Sequence, residues 1–242
     1  GMWNHLDVVP VGDNWEYPPF EGVIKHGYII GRGAQDNKGP AVGMLYLMRC
    51  LKELNIPMKH RLCLFVGCDE ERGMSDLEYY CAHYDTPAMS MIADSGFPVC
   101  YGEKGILEGR MVSLKPLSGD VVELTGGTAG NIIPDKAVIV LKGEGSAQRA
   151  KALPEGFEVH TEDGLTTITA HGISAHSAFP EGSLNAIQRL ITGLLSEKVL
   201  SEEDSRILQA FAEANQDYYG EAIGISYEDE VSGKLTCAGT VL

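Results

Sequence analysis

Arg61-Leu62-Cys63-Leu64-Phe65-Val66-Gly67-Cys68-Asp69-Glu70-Glu71 reads as a compact apolar strand that runs straight into three carboxylates. Downstream, a helix is expected around Ser75 to Tyr84, followed by a short strand, Ser90 to Ala93, that delivers Asp94. Upstream, Val42, Leu45, Tyr46, Met48 and Leu51 carry a helical apolar stripe that stops near Asn55 and Pro57. Before that helix the chain opens on a strand ending in His5-Leu6-Asp7-Val8-Val9-Pro10. Strands alternating with helices of this length predict an α/β fold with a doubly wound, mainly parallel sheet. In such sheets ligands collect at the carboxyl ends of the strands, where the polar residues of this sequence stand.

Between the opening strand and the first helix lie a Gly-, Asp-, Asn- and Pro-rich loop (11–20), a short hairpin from Val23 to Ile30 closed near Lys25-His26-Gly27, and a glycine-rich turn from Gly31 to Gly39. From about Lys104 the pattern changes to alternating strands at Gly109–Leu114, Val121–Thr125, Lys136–Leu141, Gly156–His160 and Leu165–His171. Helical segments are expected near Ser146–Leu153, Ser183–Ser196 and Glu202–Ala214. This predicts a domain over 1–105 and a second, α+β domain over 106–242, with two helices on an antiparallel sheet.

Nineteen basic against thirty-four acidic side chains give a formal charge of −15, the wrong sign for a phosphate-binding surface, so nucleic acid is not expected as a partner. No run approaches the roughly twenty apolar residues of a membrane span, and no signal-peptide pattern opens the chain, so no membrane partner is expected. The six cysteines show no C-x-x-C spacing and mostly sit in apolar runs. They read as small buried hydrophobes in a reducing compartment, and a cytoplasmic location is the default.

The opening stretch reads as the end of a buried strand that presents His5 and Asp7 on the same face, since side chains at i and i+2 of a strand point the same way. A two-metal hydrolytic site needs histidine and carboxylate ligands, one of them bridging, and His5, Asp36, Glu71 and Asp94 supply that mixture from successive strand or loop ends. Each has an ordinary structural explanation. His5 could be a hydrogen-bonded core histidine, Asp36 a helix N-cap and Asp94 the start of a turn. Glu70-Glu71 resists such an explanation, because adjacent carboxylates after an apolar strand repel one another unless a cation is near. One would bind metal and the other take a proton from water.

Taken together, His5-Leu-Asp-Val-Val-Pro10, Gly31-Arg-Gly-Ala-Gln-Asp-Asn-Lys-Gly-Pro40, Asp69-Glu-Glu71, Ala93-Asp-Ser-Gly-Phe-Pro98, Gly126-Gly-Thr-Ala-Gly-Asn-Ile-Ile-Pro134 and Gly172-Ile-Ser-Ala-His-Ser-Ala-Phe-Pro180 resemble the co-catalytic zinc exopeptidases of the aminoacylase and carboxypeptidase G superfamily. The branch that the sequence resembles is that of the PepV-type (Xaa-His, carnosinase-like) dipeptidases. The resemblance implies a metal-binding catalytic domain and a lid domain, a small peptide substrate and two zinc ions, with cobalt or manganese as alternatives. It also implies that His5 and Asp94 bind one ion, Asp36 bridges, Glu71 binds the second, Asp7 orients His5 and Glu70 is the general base. From the lid, His176 would stabilise the oxyanion and Asn131 would contact substrate. A cis peptide bond is implied after Asp36.

Against the family pattern, only Gly1 to Asn4 precede the His-x-Asp motif, and no histidine after His176 is present to complete the second ion. The expectation is a chain truncated at both ends, catalytically weak or inactive by itself, whose open faces a homo-oligomer or swapped partner would cover. An N-acyl amino acid deacylase or desuccinylase of the same superfamily is the rival enzyme. A non-catalytic binding or assembly module is the rival of another class.

Overall fold

The computed structural model describes residues 1–12 and 15–242, which form two compact units, Gly1–Tyr101 and Gly102–Leu242. The first unit is mixed α/β, built on a parallel sheet of β1 (Met2–His5), β4 (Leu64–Gly67) and β5 (Met91–Ile92) in the order β4-β1-β5. His5 pairs with Gly67, so the imidazole and the start of the Cys68–Glu71 segment emerge side by side. β1 is central, and the chain leaves it for β4 on one side before crossing to β5 on the other.

Between β1 and β4 run the hairpin β2 (Val23–Lys25) and β3 (Tyr28–Ile30) and the helix α1 (Gly39–Glu53). The hairpin closes through His26 and Gly27, both at positive φ, as a two-residue turn between twisted strands requires. α1 begins with Pro40 inside its first turn, where the missing N–H has no intrahelical partner to lose. The helix α2 (Ser75–His83) links β4 to β5. Its start is held by Asp69, whose carboxylate accepts from the Ser75 N–H and hydroxyl; these bonds hold Asp69 below the usual carboxylate range.

Two expectations fail, the buried cysteines and the strand at 109–114. The six cysteines are not buried: Cys50, Cys68, Cys81 and Cys100 are exposed, and Cys63 and Cys237 are partly exposed. The apolar stripe of α1 is also open, with Val42, Leu45 and Tyr46 more than half exposed, Ala41 being its one buried residue. Hydrophobic periodicity identifies an apolar face but not what covers it, and among the described residues the parallel sheet of this unit has three strands. The segment 109–114, expected as a strand, has no strand structure.

The second unit contains an antiparallel sheet, β6 (Val121–Gly126), β8 (Lys136–Lys142), β10 (Leu165–His171) and β9 (Phe157–Glu162), in the order β6-β8-β10-β9. Alternation sets its inner face. Ala137, Ile139 and Leu141 of β8 stand in register with Ala170, Ile168 and Thr166 of β10, and all six are buried. α3 (Glu144–Ala150) and α4 (Ala186–Ser196) pack on this sheet, and α5 (Glu202–Ala214) packs on α4. Ile187, Leu190, Ile191 and Leu194 form the buried stripe of α4, each burial contributing about 1.5–3 kcal/mol. Asn185 caps α4 by accepting from the N–H groups of Ile187 and Gln188. The short pair β7 (Ile132–Ile133) and β11 (Ala175–His176) and a terminal pair, β12 (Glu228–Asp229) and β13 (Gly233–Lys234), complete the unit. Among the described residues no helix is long and apolar enough to cross a membrane.

Candidate metal centre

β1 ends at His5, so Asp7 lies beyond the strand rather than two places along it. It reaches His5 all the same. The His5 Nδ1 lies 3.0 Å from the Asp7 carbonyl oxygen and 3.3 Å from its carboxylate. Both are acceptors, so Nδ1 carries a proton; Nε2 faces carboxylates and donates to Asp36 in the metal-free chain, and a bound cation would take the place of that proton. The imidazole is 3% exposed, and its Nε2 faces Asp36 Oδ1 at 2.9 Å, Asp94 Oδ2 at 3.4 Å and Glu70 Oε2 at 4.0 Å.

Two sets of ligand atoms share His5: His5 with Asp36 and Asp94, and His5 with Glu70 and Glu71, each set within 4.8 Å. Their origins differ. Asp36 stands in the Gly33–Gly39 turn and is followed by a cis peptide bond to Asn37; Glu70 and Glu71 form a single helical turn after β4; Asp94 follows β5. Gly33, at φ +79°, brings this turn close to the chain after β1, where a Cβ would meet Lys38 Nζ at 2.5 Å and Val8 at 2.6 Å. Lys38 Nζ uses that space to donate to the Leu6 carbonyl at 2.7 Å. Arg32 similarly donates to the Pro10 and Val11 carbonyls.

Asp7 has a second task that sequence reasoning missed. Its two carboxylate oxygens accept from the backbone N–H groups of Glu70 (3.3 Å) and Glu71 (3.0 Å). One side chain therefore holds the histidine and both glutamates. Asn37 and Asn4 were also overlooked. Asn37 Nδ2 donates to Asp94 Oδ1 at 2.7 Å and to the Ala93 carbonyl at 2.9 Å, and its oxygen accepts from Asn4 Nδ2 at 2.6 Å. The available signal was a polar residue one position before His5 on a strand otherwise buried.

The electrostatics favour a divalent cation. Burial pushes the Glu70 carboxyl above its ordinary value, His5 opposes that, and Asp94, Glu71 and Asp36 add to it. Glu71 is likewise pushed up by burial first and then by Asp36. For His5, burial disfavours the charged ring, but the Asp36 hydrogen bond and the fields of Asp94 and Asp36 outweigh it and raise the value. Carboxylate oxygens and an imidazole form a donor set that suits zinc, and a cation there would replace the Nε2 proton and relieve the repulsion among the carboxylates.

His176 and Asn131 belong to the second unit. His176 pairs with Ile132 across β7 and β11, and the Asn131 carbonyl accepts from Ser177 N–H at 2.8 Å, so the two residues lie side by side. His176 Nδ1 accepts from the Ala178 N–H, which leaves Nε2 as the donor of the neutral, solvent-exposed ring.

The chain is 30% identical over 249 residues to the "Putative dipeptidase YtjP" of Bacillus subtilis (strain 168), an alignment covering 98% of this chain and 54% of that protein. It is 28% identical over 258 residues to the "Putative dipeptidase SAR1836" of Staphylococcus aureus (strain MRSA252), covering 98% of this chain and 53% of that protein. The chain thus spans about half the length of the curated relatives it matches. Residues 2–239 match the family described as Peptidase family M20/M25/M40, and the chain belongs to that family.

Proposed function

We propose that this chain carries the metal-binding half of a metal-dependent dipeptidase, with part of its lid. The observation that carries the reading is the clustering of His5 with Asp36 and Asp94, and of His5 with Glu70 and Glu71, each set with its ligand atoms within 4.8 Å of one another. His5, Asp36 and Asp94 would hold one ion, and Asp36 with Glu71 would face a second. Zinc bound there would polarise the scissile carbonyl and ease deprotonation of the attacking water. Glu70 takes that proton. Its raised carboxyl value suits it to hold the proton and return it to the leaving amine.

His176 stabilises the negative charge that develops on the carbonyl oxygen, using the Nε2–H that its contact with Ala178 leaves available. Asn131, beside it, contacts the substrate. The doubly wound sheet and the lid assignment for 106–242 belong to this reading, as does a Xaa-His-type preference. The names of the relatives favour a dipeptidase over a deacylase or desuccinylase.

The test is zinc titration of the chain beside Asp36→Ala and Asp94→Ala, with a panel of dipeptides and N-acetyl and N-succinyl amino acids. Binding should be lost in both variants. Glu70→Gln should keep zinc yet abolish any turnover. Wild-type zinc affinity in Asp94→Ala would overturn the assignment, and preferential cleavage of acyl amino acids would move it to the deacylase.

A further inference from the structure

Behind the candidate centre lies a pair of buried carboxamides that has no part in the chemistry above. Asn37 is 1% exposed and Asn4 is 7% exposed. The orientation of Asn37 is fixed by its neighbours. The Ala93 carbonyl can only accept, and so can an ionised Asp94; the end of Asn37 that faces both must be the nitrogen. Its oxygen then points at Asn4, which must answer with its own nitrogen. Among the described residues Asn4 Oδ1 is left buried without a hydrogen-bond partner, an arrangement that costs stability and that a simple packing role would not call for.

Resting on the metal-centre reading, we propose that Asn37, braced by Asn4, is a positioning residue that fixes which oxygen of Asp94 serves as the ligand. By donating to Oδ1, Asn37 engages one carboxylate oxygen from behind and leaves Oδ2, the one 3.4 Å from His5 Nε2, turned toward the centre. The carboxamide also adds no charge. An aspartate at position 37 would have nearly the same shape but would set an acceptor against Asp94 Oδ1 and Ala93 O, adding one more carboxylate to a site where Asp36, Glu70, Glu71 and Asp94 already crowd His5. Asparagine is required at this place for its donor, not its volume.

The test uses Asn37→Asp, which preserves shape and the acceptor toward Asn4, and Asn4→Ala, which removes only the brace. Zinc affinity of the 242-residue chain is measured by chelator competition, and the visible absorption of the cobalt-substituted chain reports ligand geometry. Asn37→Asp should weaken zinc at least about tenfold and change the cobalt spectrum, and Asn4→Ala should move both in the same direction by less. A purely structural role would lower the melting temperature and leave the cobalt spectrum of the folded protein unchanged. Wild-type affinity and spectrum in Asn37→Asp would overturn the proposal. If Asn37→Asp does not fold, Asn4→Ala decides by the same two readouts. Asp94→Ala separates this outcome from failure of the metal centre itself: unchanged zinc binding there removes the centre, whereas its loss there with no change in the Asn37 and Asn4 variants removes only the positioning role.

Discussion

Replacing Asp7 with alanine takes away three contacts at once: the Glu71 N–H at 3.0 Å, the Glu70 N–H at 3.3 Å and the His5 ring nitrogen at 3.3 Å. The first is well formed and charge-assisted, worth about 1.5 kcal/mol, and each longer one is worth about 0.5 kcal/mol. The backbone carbonyl of residue 7 survives the substitution and still holds His5 Nδ1 at 3.0 Å, so the tautomer should persist. What is lost is the common anchor of the histidine and the two glutamates. Part of the resulting ~2.5 kcal/mol falls on folding and the remainder on metal binding, which predicts a zinc affinity about fivefold to thirtyfold weaker. Asp7→Asn keeps one acceptor oxygen but turns an NH2 toward a backbone N–H, and it should fall between the two. Chelator competition on the folded chain, with circular dichroism to verify folding, reads the effect. A zinc affinity in Asp7→Ala within about twofold of wild type would refute the reasoning.

Glu71→Gln should stabilise the metal-free chain at neutral pH while weakening zinc. The folded carboxyl value of Glu71 is raised, so its ionisation costs stability as pH rises through that value. The gain seen in thermal melts with chelator should therefore shrink in mild acid, and equal melting of the two proteins at neutral pH would contradict it. Asp204, 1% exposed, behaves oppositely. Burial works to raise its value, but the Ser118 hydroxyl and N–H and the Ser201 hydroxyl outweigh that and lower it. Its contribution is present above the ordinary carboxylate range and is lost as pH falls through the lowered folded value. Asp204→Ala should cost about 3 kcal/mol in urea unfolding at neutral pH, with a deficit that narrows in strong acid.

Much of this architecture is legible in the sequence wherever pattern and burial share one cause. β8 and β10 alternate because one face meets α4, and α4 announces itself by Ile187, Leu190, Ile191 and Leu194. The hairpin turn follows from Lys25-His26-Gly27 in the same way. Cys50 and Leu45 mislead because an apolar run records only the preference of a face, and here the face is open. Residues 109–114 alternate without a strand to pair with, so the pattern has no ladder to act on. At the site, charged residues stand out in the sequence because a carboxylate after an apolar strand needs a reason. Asn37 and Asn4 do not stand out, since a neutral amide is unremarkable until its partners are known. The dual role of Asp7 depends on the backbone of Glu70 and Glu71, which no side-chain pattern reveals.

The central place of β1 between β4 and β5 has a consequence for how this centre tolerates change along the chain. His5, the Glu70–Glu71 turn and Asp94 are brought together by strands spaced about 4.8 Å apart, so their separation is set by hydrogen-bonded pairing and not by the residues that intervene in sequence. The connections from α1 into β4 and from α2 into β5 enter at the opposite end of the strands. Chain can be lengthened, shortened or even opened there without shifting a ligand, whereas a single inserted residue between Gly67 and Glu71 moves a glutamate. His5, the two glutamates and Asp94 are thus held by three strand ends, indifferent to the lengths of the helices that join them, and Asp36 alone comes from the turn that opens α1.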